Sequence, residues 1–436
     1  MIDVRAIRDE QSAVIASLAR RGVSKSDVER VAALDAQARR RLTEAEALRH
    51  RVKELSRQVA QARREGDQGS AESLAARSRV LGDDAREADA ASDAAQRLLR
   101  EALLALPNLP ADDAPDGAGP QDNVEVKRWW PGFERDASPP SYAPYQRVPH
   151  WQVGTELGIL DLERGAKLSG SMFPLFRGPG STLLRALSAF ALSRHCDLYE
   201  EIRPPTLVLS DTMMATGHLP RFADEGYHIE RDDLWAIPTA EVPLTSLYRG
   251  EVLEESELPK RFCALTPCYR REAGAAGRDT RGLLRVHEFD KVELMAYTTP
   301  EQAVTAHADI CTAAEHILQE LGLEYRVLDL CAGDLGGAAA RTFDVEVYMP
   351  GEERFWEVSS VSWYRDYQAR RANVRYRPAA GGAPVFVHTL NGSALAWSRV
   401  WAALIETGRQ EDGSVRLPQC LAPYMGGRTV IAVPGS

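Results

Sequence analysis

Read from its residues alone, the chain is α+β: an N-terminal antiparallel coiled-coil hairpin followed by an antiparallel β-sheet flanked by helices. Residues 26–106 contain no proline and carry two heptad seams. The next stretch, PNLPADDAPDGAGPQDN, is rich in Pro, Gly and Asp and reads as a linker. From about Trp129 onward, apolar helical stretches (183–192 and 303–321) alternate with short β-rich runs (286–295, 342–348, 373–376 and 385–390). Strands that outnumber helices and lie close together favour an antiparallel sheet over a doubly wound parallel one. The expected division is an arm over 1–110 (coiled coil about 26–106), a linker over 111–135 and a mixed domain over 136–436.

The first seam runs Val31, Leu34, Ala38, Ala45, Leu48, Val52, Leu55, Val59, Ala62, with Arg41 filling one gap. Ser26 with Glu29 three residues on predicts a capping box at its start. GDQGS, from Gly66, predicts a turn supplied by two glycines. The second seam runs Leu74, Leu81, Ala85, Ala88, Ala95, Leu99, Ala102, Leu106, with Ser78 and Ser92 in its gaps. Each arm would reach about 55–60 Å at about 1.5 Å per residue. So long an arm buries little of its own surface and must pair or contact something long.

A composition of 44% hydrophobic and 27% charged residues excludes a fibrous or wholly disordered chain. No run of 18 apolar residues offers a membrane span. The start, MIDVRAIRDE, lacks an apolar h-region, so no secretory signal is expected and the location reads as cytoplasmic. Cys196, Cys263, Cys268, Cys311, Cys331 and Cys420 are scattered and read as reduced thiols; no zinc is expected. The net charge of −10 speaks against a nucleic-acid partner only as a global figure. Val28 to Glu65 holds ten basic and six acidic residues, so the first arm helix is locally basic, through Arg39, Arg40, Arg49, Lys53 and Arg57 among others.

No GxxxxGK[ST] loop, GxGxxG, GxSxG or HExxH is present, and Gly333 to Gly337 reads as a turn. Lys167 to Ser171 and Gly217-His218 imitate class I synthetase signatures, but in the wrong order and without the strand–helix context. Polar, Arg-bearing blocks fall instead on β-structure. In the first, LTPCYRREAG and RDTRGLLRVHEFDKVEL, a strand puts Arg270 and Glu272 on one face. It enters a Gly/Arg loop, and a second strand returns His287, Phe289 and Glu293. The others are FWEVSSVSWYRDYQARRANVRYR and VHTLNGSALAWSR, the latter a strand entering a helix through Asn-Gly-Ser.

These blocks resemble motifs 2 and 3 of class II aminoacyl-tRNA synthetases, and specifically the seryl enzymes. IPTAEVPL, MMATGHLPRF, PHWQVG and QEDGSVRLPQCLAPYMGG carry the same resemblance, and Ile202-Arg-Pro-Pro205 is similar to motif 1. The likeness spans essentially the whole chain. It implies a six- or seven-stranded catalytic sheet in 136–436, a homodimer, and ATP-dependent charging of tRNA(Ser) with L-serine. It also implies that the coiled-coil arm binds the tRNA. Arg270 and Arg399 are implied as the catalytic arginines, the first bridging the α-phosphate and the serine carboxylate, the second binding the γ-phosphate. Thr239, Ala240, Glu241, Glu293, Asn391 and Ser393 would line the serine pocket. Arg271, Glu272, Val286, Phe289, Val358 and Ser359 would contact ATP with the two arginines, Glu272 accepting from the adenine amino group and Phe289 stacking on the ring. Glu357 and Ser360 would hold Mg²⁺.

The sequence departs from the family pattern in three places. Ser362-Trp363-Tyr364-Arg365 stands where a small Ser-Asn-Cys-like stretch is usual; Ala394 and Trp397-Ser398 replace glycines; Trp401 replaces an aliphatic residue. These bring bulk toward the ATP and serine pocket. Alternatives are therefore a duplicate serving antibiotic self-resistance or feeding seryl-tRNA to a biosynthetic pathway, or a non-catalytic tRNA-binding paralogue.

Overall fold

A computed structural model describes residues 1–135, 138–273 and 281–435. They form two compact units, Met1–Pro107 and Asn108–Ser436. The first contains α1 (Val4–Asp9), α2 (Gln11–Ala19) and the two long helices α3 (Lys25–Glu65) and α4 (Gln68–Ala105). The heptad seams face inward: Val31, Ala38, Ala45 and Ala62 on α3 and Ala85, Ser92 and Ala95 on α4 are buried. Arg41, which filled a gap in the pattern, is exposed, because a long cationic side chain at a seam position turns out to water. At 41 and 38 residues, the helices are each about 60 Å long.

Two details of the arm correct the sequence reading. The cap is Ser24, not Ser26: the Ser24 hydroxyl accepts from the Asp27 backbone N–H at 3.2 Å. The helix begins two residues earlier because Lys25 and Ser26 extend the helical run without cost. The turn uses one glycine; Gly66 caps α3 at φ 79°, whereas Gly69 lies inside α4, which Asp67 caps. Arg8 reaches across to α3 and binds the buried Asp35 with two nitrogens, at 2.8 and 3.0 Å. That hydrogen bond from Arg8 holds the Asp35 carboxyl below its ordinary pKa.

The second unit is organised by a mixed sheet. Its strands are β1 (Val124–Trp129), β2 (Glu200–Glu201), β3 (Lys260–Tyr269), β4 (Glu288–Thr298), β5 (Tyr325–Asp329), β6 (Arg341–Met349), β7 (Arg354–Trp363) and β8 (His388–Ala396). Among the described residues the order is β1-β5-β6-β7-β8-β4-β3-β2, antiparallel except for the β2–β3 pair. That is eight strands where six or seven were expected. The two edges account for the difference. β2 is only two residues long, and β1 comes from the stretch read as a linker. Val124 and Val126 alternate with charged residues there, and the strand pairs with β5 on either side of a bulge at Val126, while the Pro/Gly-rich part upstream stays irregular.

Helices Pro179–His195, Ala303–Glu320 and Trp397–Gly408 contribute to the main core with Val292, Leu294 and Ala296 of β4. On the other face of β3 and β4, Phe262, Ala264, Met295 and Tyr297 pack with Ala240, Leu244, Ala369 and Ala372 from the short helices Glu241–Thr245 and Tyr367–Ala372 and their flanks. No helix among the described residues is long and apolar enough to cross a membrane. The expected Gly/Arg loop, 274–280, lies outside the described residues.

Candidate active site

β4, β7 and β8, with Arg270 just past the end of β3, line one cleft of about 690 Å³. On β4 the period-2 alternation aims Phe289, Lys291 and Glu293 into it. On β8 the same alternation presents Asn391 and Ser393, which lie within the strand; the helix begins only at Trp397. The Asn-Gly-Ser triplet is thus not the strand-to-helix junction that the sequence suggested, because Gly392 is needed flat against Ile310 and Val361, where a Cβ would come within 3 Å.

β7 needs a device to present its residues. Glu357 and Ser360 are three apart, so strict alternation would put them on opposite faces. The pairing with β6 shifts by one residue: Ser359 faces Val345 and Glu357 faces Glu346, leaving Val358 as a bulge. Glu357, Val358 and Ser360 therefore line the cleft together, while Ser359 is buried with its hydroxyl unpartnered. Asp344 sits opposite Ser360 on β6, and one of its buried carboxylate oxygens has no hydrogen-bond partner. Burial, then repulsion from Glu357, pushes the Asp344 carboxyl well above its ordinary pKa.

Arg270 follows the last residue of β3, and its guanidinium stacks 5.1 Å from the Phe289 ring centre. Glu272 is not on the strand face predicted for it. β3 ends at Tyr269, and Glu272 adopts φ 49°, yet it lines the cleft and is paired with Arg285 at 2.8 Å. Arg399, third residue of its helix, donates to the carbonyls of Leu284 (3.2 Å) and Glu357 (2.5 Å). This end of the cleft gathers three guanidiniums, Arg270, Arg285 and Arg399, with the Phe289 ring and Val286, which suits a polyphosphate and a base.

The other end is a buried polar pocket. Lys291 bonds Thr239 Oγ1 (2.8 Å) and Glu293 (2.6 Å); Ser393 donates to Glu293 at 3.4 Å. Glu241 accepts from Gln368 at 2.6 Å, and the Tyr364 hydroxyl donates to Asn391 at 2.9 Å. Burial raises the pKa of both Glu241 and Glu293, and Lys291 opposes that shift in each. His218 also lines the pocket and is pushed down to about 4, by burial first and then by Arg270 and Lys291.

Of the residues named from sequence, Arg270, Arg399, Thr239, Glu241, Glu293, Asn391, Ser393, Glu272, Val286, Phe289, Glu357, Val358 and Ser360 converge here. Ala240, Arg271 and Ser359 do not line the cleft: Ala240 is fully buried, and Arg271 is an exposed residue bonded to the backbone of Asp224 and Glu225. Trp363, Trp397 and Trp401, expected to bring bulk to the pocket, also stay out of it. Trp397 and Trp401 pack edge-on against Phe176, and Trp363 bonds His388. Helical spacing explains this, since 397, 400, 401 and 404 form the helix's core stripe. Sequence reasoning missed Lys291, Arg285, His218 and the Gly336-Gly337 turn, whereas Tyr364, in the stretch expected to bring bulk to the pocket, does line the cleft; Lys291 lies in phase with Phe289 and Glu293 and was findable by alternation.

On the arm, Arg39 is paired with Asp35, Arg49 with Asp89 and Arg57 with Glu54. Arg40 and Lys53 are exposed.

Residues 226–408 match the family model described as tRNA synthetase class II core domain (G, H, P, S and T), and residues 1–110 match the seryl-tRNA synthetase N-terminal domain. The chain is 47% identical to a serine–tRNA ligase of Gemmatimonas aurantiaca, over 99% of this chain and 100% of that one. It is 44% identical to that of Synechococcus elongatus over 100% of both. The solved seryl-tRNA synthetase of Pyrococcus horikoshii, complexed with ATP, superposes with a TM-score of 0.89 at 34% identity, covering 99% of this chain and 100% of that chain. Similarity of this extent, over both units, makes the chain a member of the serine–tRNA ligase family of class II aminoacyl-tRNA synthetases.

Proposed function

We propose that this protein is an ATP-dependent serine–tRNA ligase: it activates L-serine with ATP to seryl-adenylate and transfers the serine to tRNA(Ser). One observation carries the reading. A single cleft joins an arginine-rich end, with Arg270, Arg285 and Arg399, to a buried hydroxyl-and-carboxylate pocket built from Thr239, Glu293 and Ser393.

In this mechanism the serine carboxylate oxygen bonds to the α-phosphorus of ATP as the bond from that phosphorus to the bridging oxygen breaks, releasing pyrophosphate. No protein nucleophile is needed; positioning and charge neutralisation supply the rate. Arg270 bridges the carboxylate and the α-phosphate, and Arg399 binds the terminal phosphate. Phe289 stacks on the base, and Glu272 accepts from its amino group once Arg285 turns to the phosphates. Glu293 and Ser393 hold the serine hydroxyl, and Thr239 and Glu241 the amino end.

Mg²⁺ fits the other wall. Glu357, Ser360 and the unpartnered Asp344 oxygen offer hard oxygen ligands, and a dication would offset the Glu357 repulsion that adds to burial in raising the Asp344 carboxyl. When bound, the ion neutralises developing charge on the leaving phosphates.

The basic face of α3, with Arg39, Arg40, Arg49, Lys53 and Arg57, is the tRNA contact, reading stem phosphates and shape rather than base edges. A homodimer forms through the 202–205 segment beside the two-residue edge strand β2, where Leu198, Leu207 and Leu209 are exposed. The protein works in the cytoplasm.

Serine-dependent ATP–pyrophosphate exchange tests the proposal, followed by charging of tRNA(Ser). Exchange with serine and with no other standard amino acid at comparable efficiency is expected. RNA binding without exchange would replace the enzyme by a binding protein.

A further inference from the structure

Tyr364 stands directly after β7 and lines the amino-acid end of the cleft while only 7% exposed. Its backbone is pinned on both sides: the N–H donates to the Thr389 carbonyl at 3.0 Å, and the carbonyl accepts from the Asn108 side chain at 2.8 Å. The ring packs in a small apolar cluster with Leu328, Leu330, Leu335 and Ala339. The hydroxyl donates to Asn391 Oδ1, and Asn391 in turn hydrogen-bonds Glu241. Glu241 is held by Gln368, whose amide oxygen accepts from Thr389 at 2.7 Å. Swinging the phenol away would strand buried polar groups, so the ring is a rigid wall and not a movable lid.

A pocket that recognises a hydroxyl by hydrogen bonding rejects an amino acid that lacks one, but it does not reject a second amino acid that has both the hydroxyl and an extra methyl. Serine and threonine differ by that methyl alone. On the Thr239 side the wall is made of paired, charged groups, Lys291 and Glu293. On the Asn391 side it is Tyr364. We propose that Tyr364 is a specificity-determining residue, the steric limit that holds the amino-acid site to a side chain of serine's size and excludes threonine. The proposal rests on the serine-activation reading above.

The test is ATP–pyrophosphate exchange by the full-length protein with L-serine and with L-threonine. It compares the parent with Tyr364→Cys, Tyr364→Leu and Tyr364→Phe. Cutting back the ring is expected to lower the serine-over-threonine ratio of kcat/KM by at least about tenfold in Tyr364→Cys and Tyr364→Leu. Tyr364→Phe, which keeps the bulk and loses only the hydroxyl, should hold the ratio within roughly twofold of the parent. The leucine variant retains apolar packing against Leu335 and Ala339, so it carries the test even where the cysteine variant folds poorly. An unchanged ratio in both shortened variants overturns the proposal, since general damage lowers both substrates together. A phenylalanine variant as relaxed as the cysteine one also overturns it. A parent without serine-dependent exchange overturns the serine reading itself, whereas normal parent exchange with unmoved ratios overturns only the role of Tyr364.

Discussion

The Lys291 ammonium lies 2.6 Å from the Glu293 carboxylate, two residues along the same face of β4, with both side chains almost fully buried. Burial pushes the Glu293 carboxyl up, Glu241 adds repulsion, and Lys291 is the strongest influence holding it down. A carboxyl raised in this way loses its charge at a higher pH than a free one as the pH falls. Lys291→Met removes the opposing charge, so Glu293 should protonate at still higher pH. The expected outcome is an acid limb of kcat/KM for serine that moves upward in pH relative to the parent. A limb that stays in place would mean that Glu293 is not the group the serine hydroxyl reads.

Arg270 is the group whose loss should cost most. It sits where β3 ends, stacked on Phe289, with its Nε 3.4 Å from the Pro238 carbonyl. Removing one preorganised donor to a developing oxyanion costs about 3 kcal/mol or more, a hundredfold or more in rate. Arg270→Ala is expected to lose at least that in exchange. Arg270→Lys should recover little, because a point charge cannot span a carboxylate and a phosphate as a planar fork does. Near-normal exchange by the alanine variant would remove Arg270 from the bridging role.

The hairpin and most of the cleft were legible because both rest on periodicity. A heptad marks a seam, and alternation puts Phe289 and Glu293 on one side. What was not legible is where the period breaks. The Val358 bulge makes Glu357 and Ser360 neighbours and turns Ser359 away, and nothing in the string EVSS announces it. The left-handed turn at Glu272 is likewise set by its Arg285 partner, thirteen residues on. The tryptophans misled because bulk near a motif is not bulk in the site. One step around the helix separates Trp397 in the core from Ser398 on the cleft.

The arm's charge makes a prediction about salt. Arg40 and Lys53 project from α3 into solvent, and Arg57 is 67% exposed beside Glu54. Surface pairs of this kind contribute about 0–1 kcal/mol to folding, so the substitutions should leave helicity intact. Arg40→Ala with Lys53→Ala and Arg57→Ala should weaken tRNA binding. It should also reduce the slope of log K against log salt by about 0.7–0.9 for each phosphate that is no longer neutralised. Exchange without tRNA should be unchanged. A salt slope equal to the parent's would place the RNA elsewhere.

Two of the histidines that burial holds neutral, His195 and His307, contribute to acid stability. His195 and His307 are each 4% exposed, and burial pushes both down to about 4. His307 Nε2 lies 2.9 Å from the Val361 carbonyl, and His195 Nε2 is among the buried atoms without a partner. In the unfolded chain both titrate near 6.5. Above that pH neither state binds the proton, and the contribution is fully present. As the pH falls toward 4 the unfolded chain takes up protons that the folded one refuses, so stability is lost. At pH 5 the loss is on the order of 1–2 kcal/mol per histidine. His195→Phe should flatten the pH dependence of the urea midpoint between pH 7.5 and 5. An equally steep dependence would show that His195 is not protonated on unfolding there.

Gly282 tests how the arginine end of the cleft is positioned. It adopts φ 73°, and a Cβ there would stand 2.3 Å from His150 Nε2. That ring cannot retreat: it is fully buried, its Nδ1 lies 2.8 Å from Glu406, and its Nε2 accepts from the Leu283 N–H at 3.0 Å. Glu406 is itself committed, accepting from the backbone N–H groups of His150 and Gly351. One residue beyond Leu283, the Leu284 carbonyl accepts from Arg399 Nε. A methyl at 282 must therefore move the 282–284 backbone and carry the Arg399 anchor with it. Gly282→Ala is expected to cost about 2–3 kcal/mol from the disallowed conformation and the steric clash together. Thermal denaturation should show it as a lowered midpoint. The KM for ATP should rise more than the KM for serine, because Lys291, Glu293 and Thr239 lie on the sheet and its flank and do not depend on this segment. Equal effects on both substrates would mean that the His150–Glu406 pair supports the fold alone and does not position Arg399.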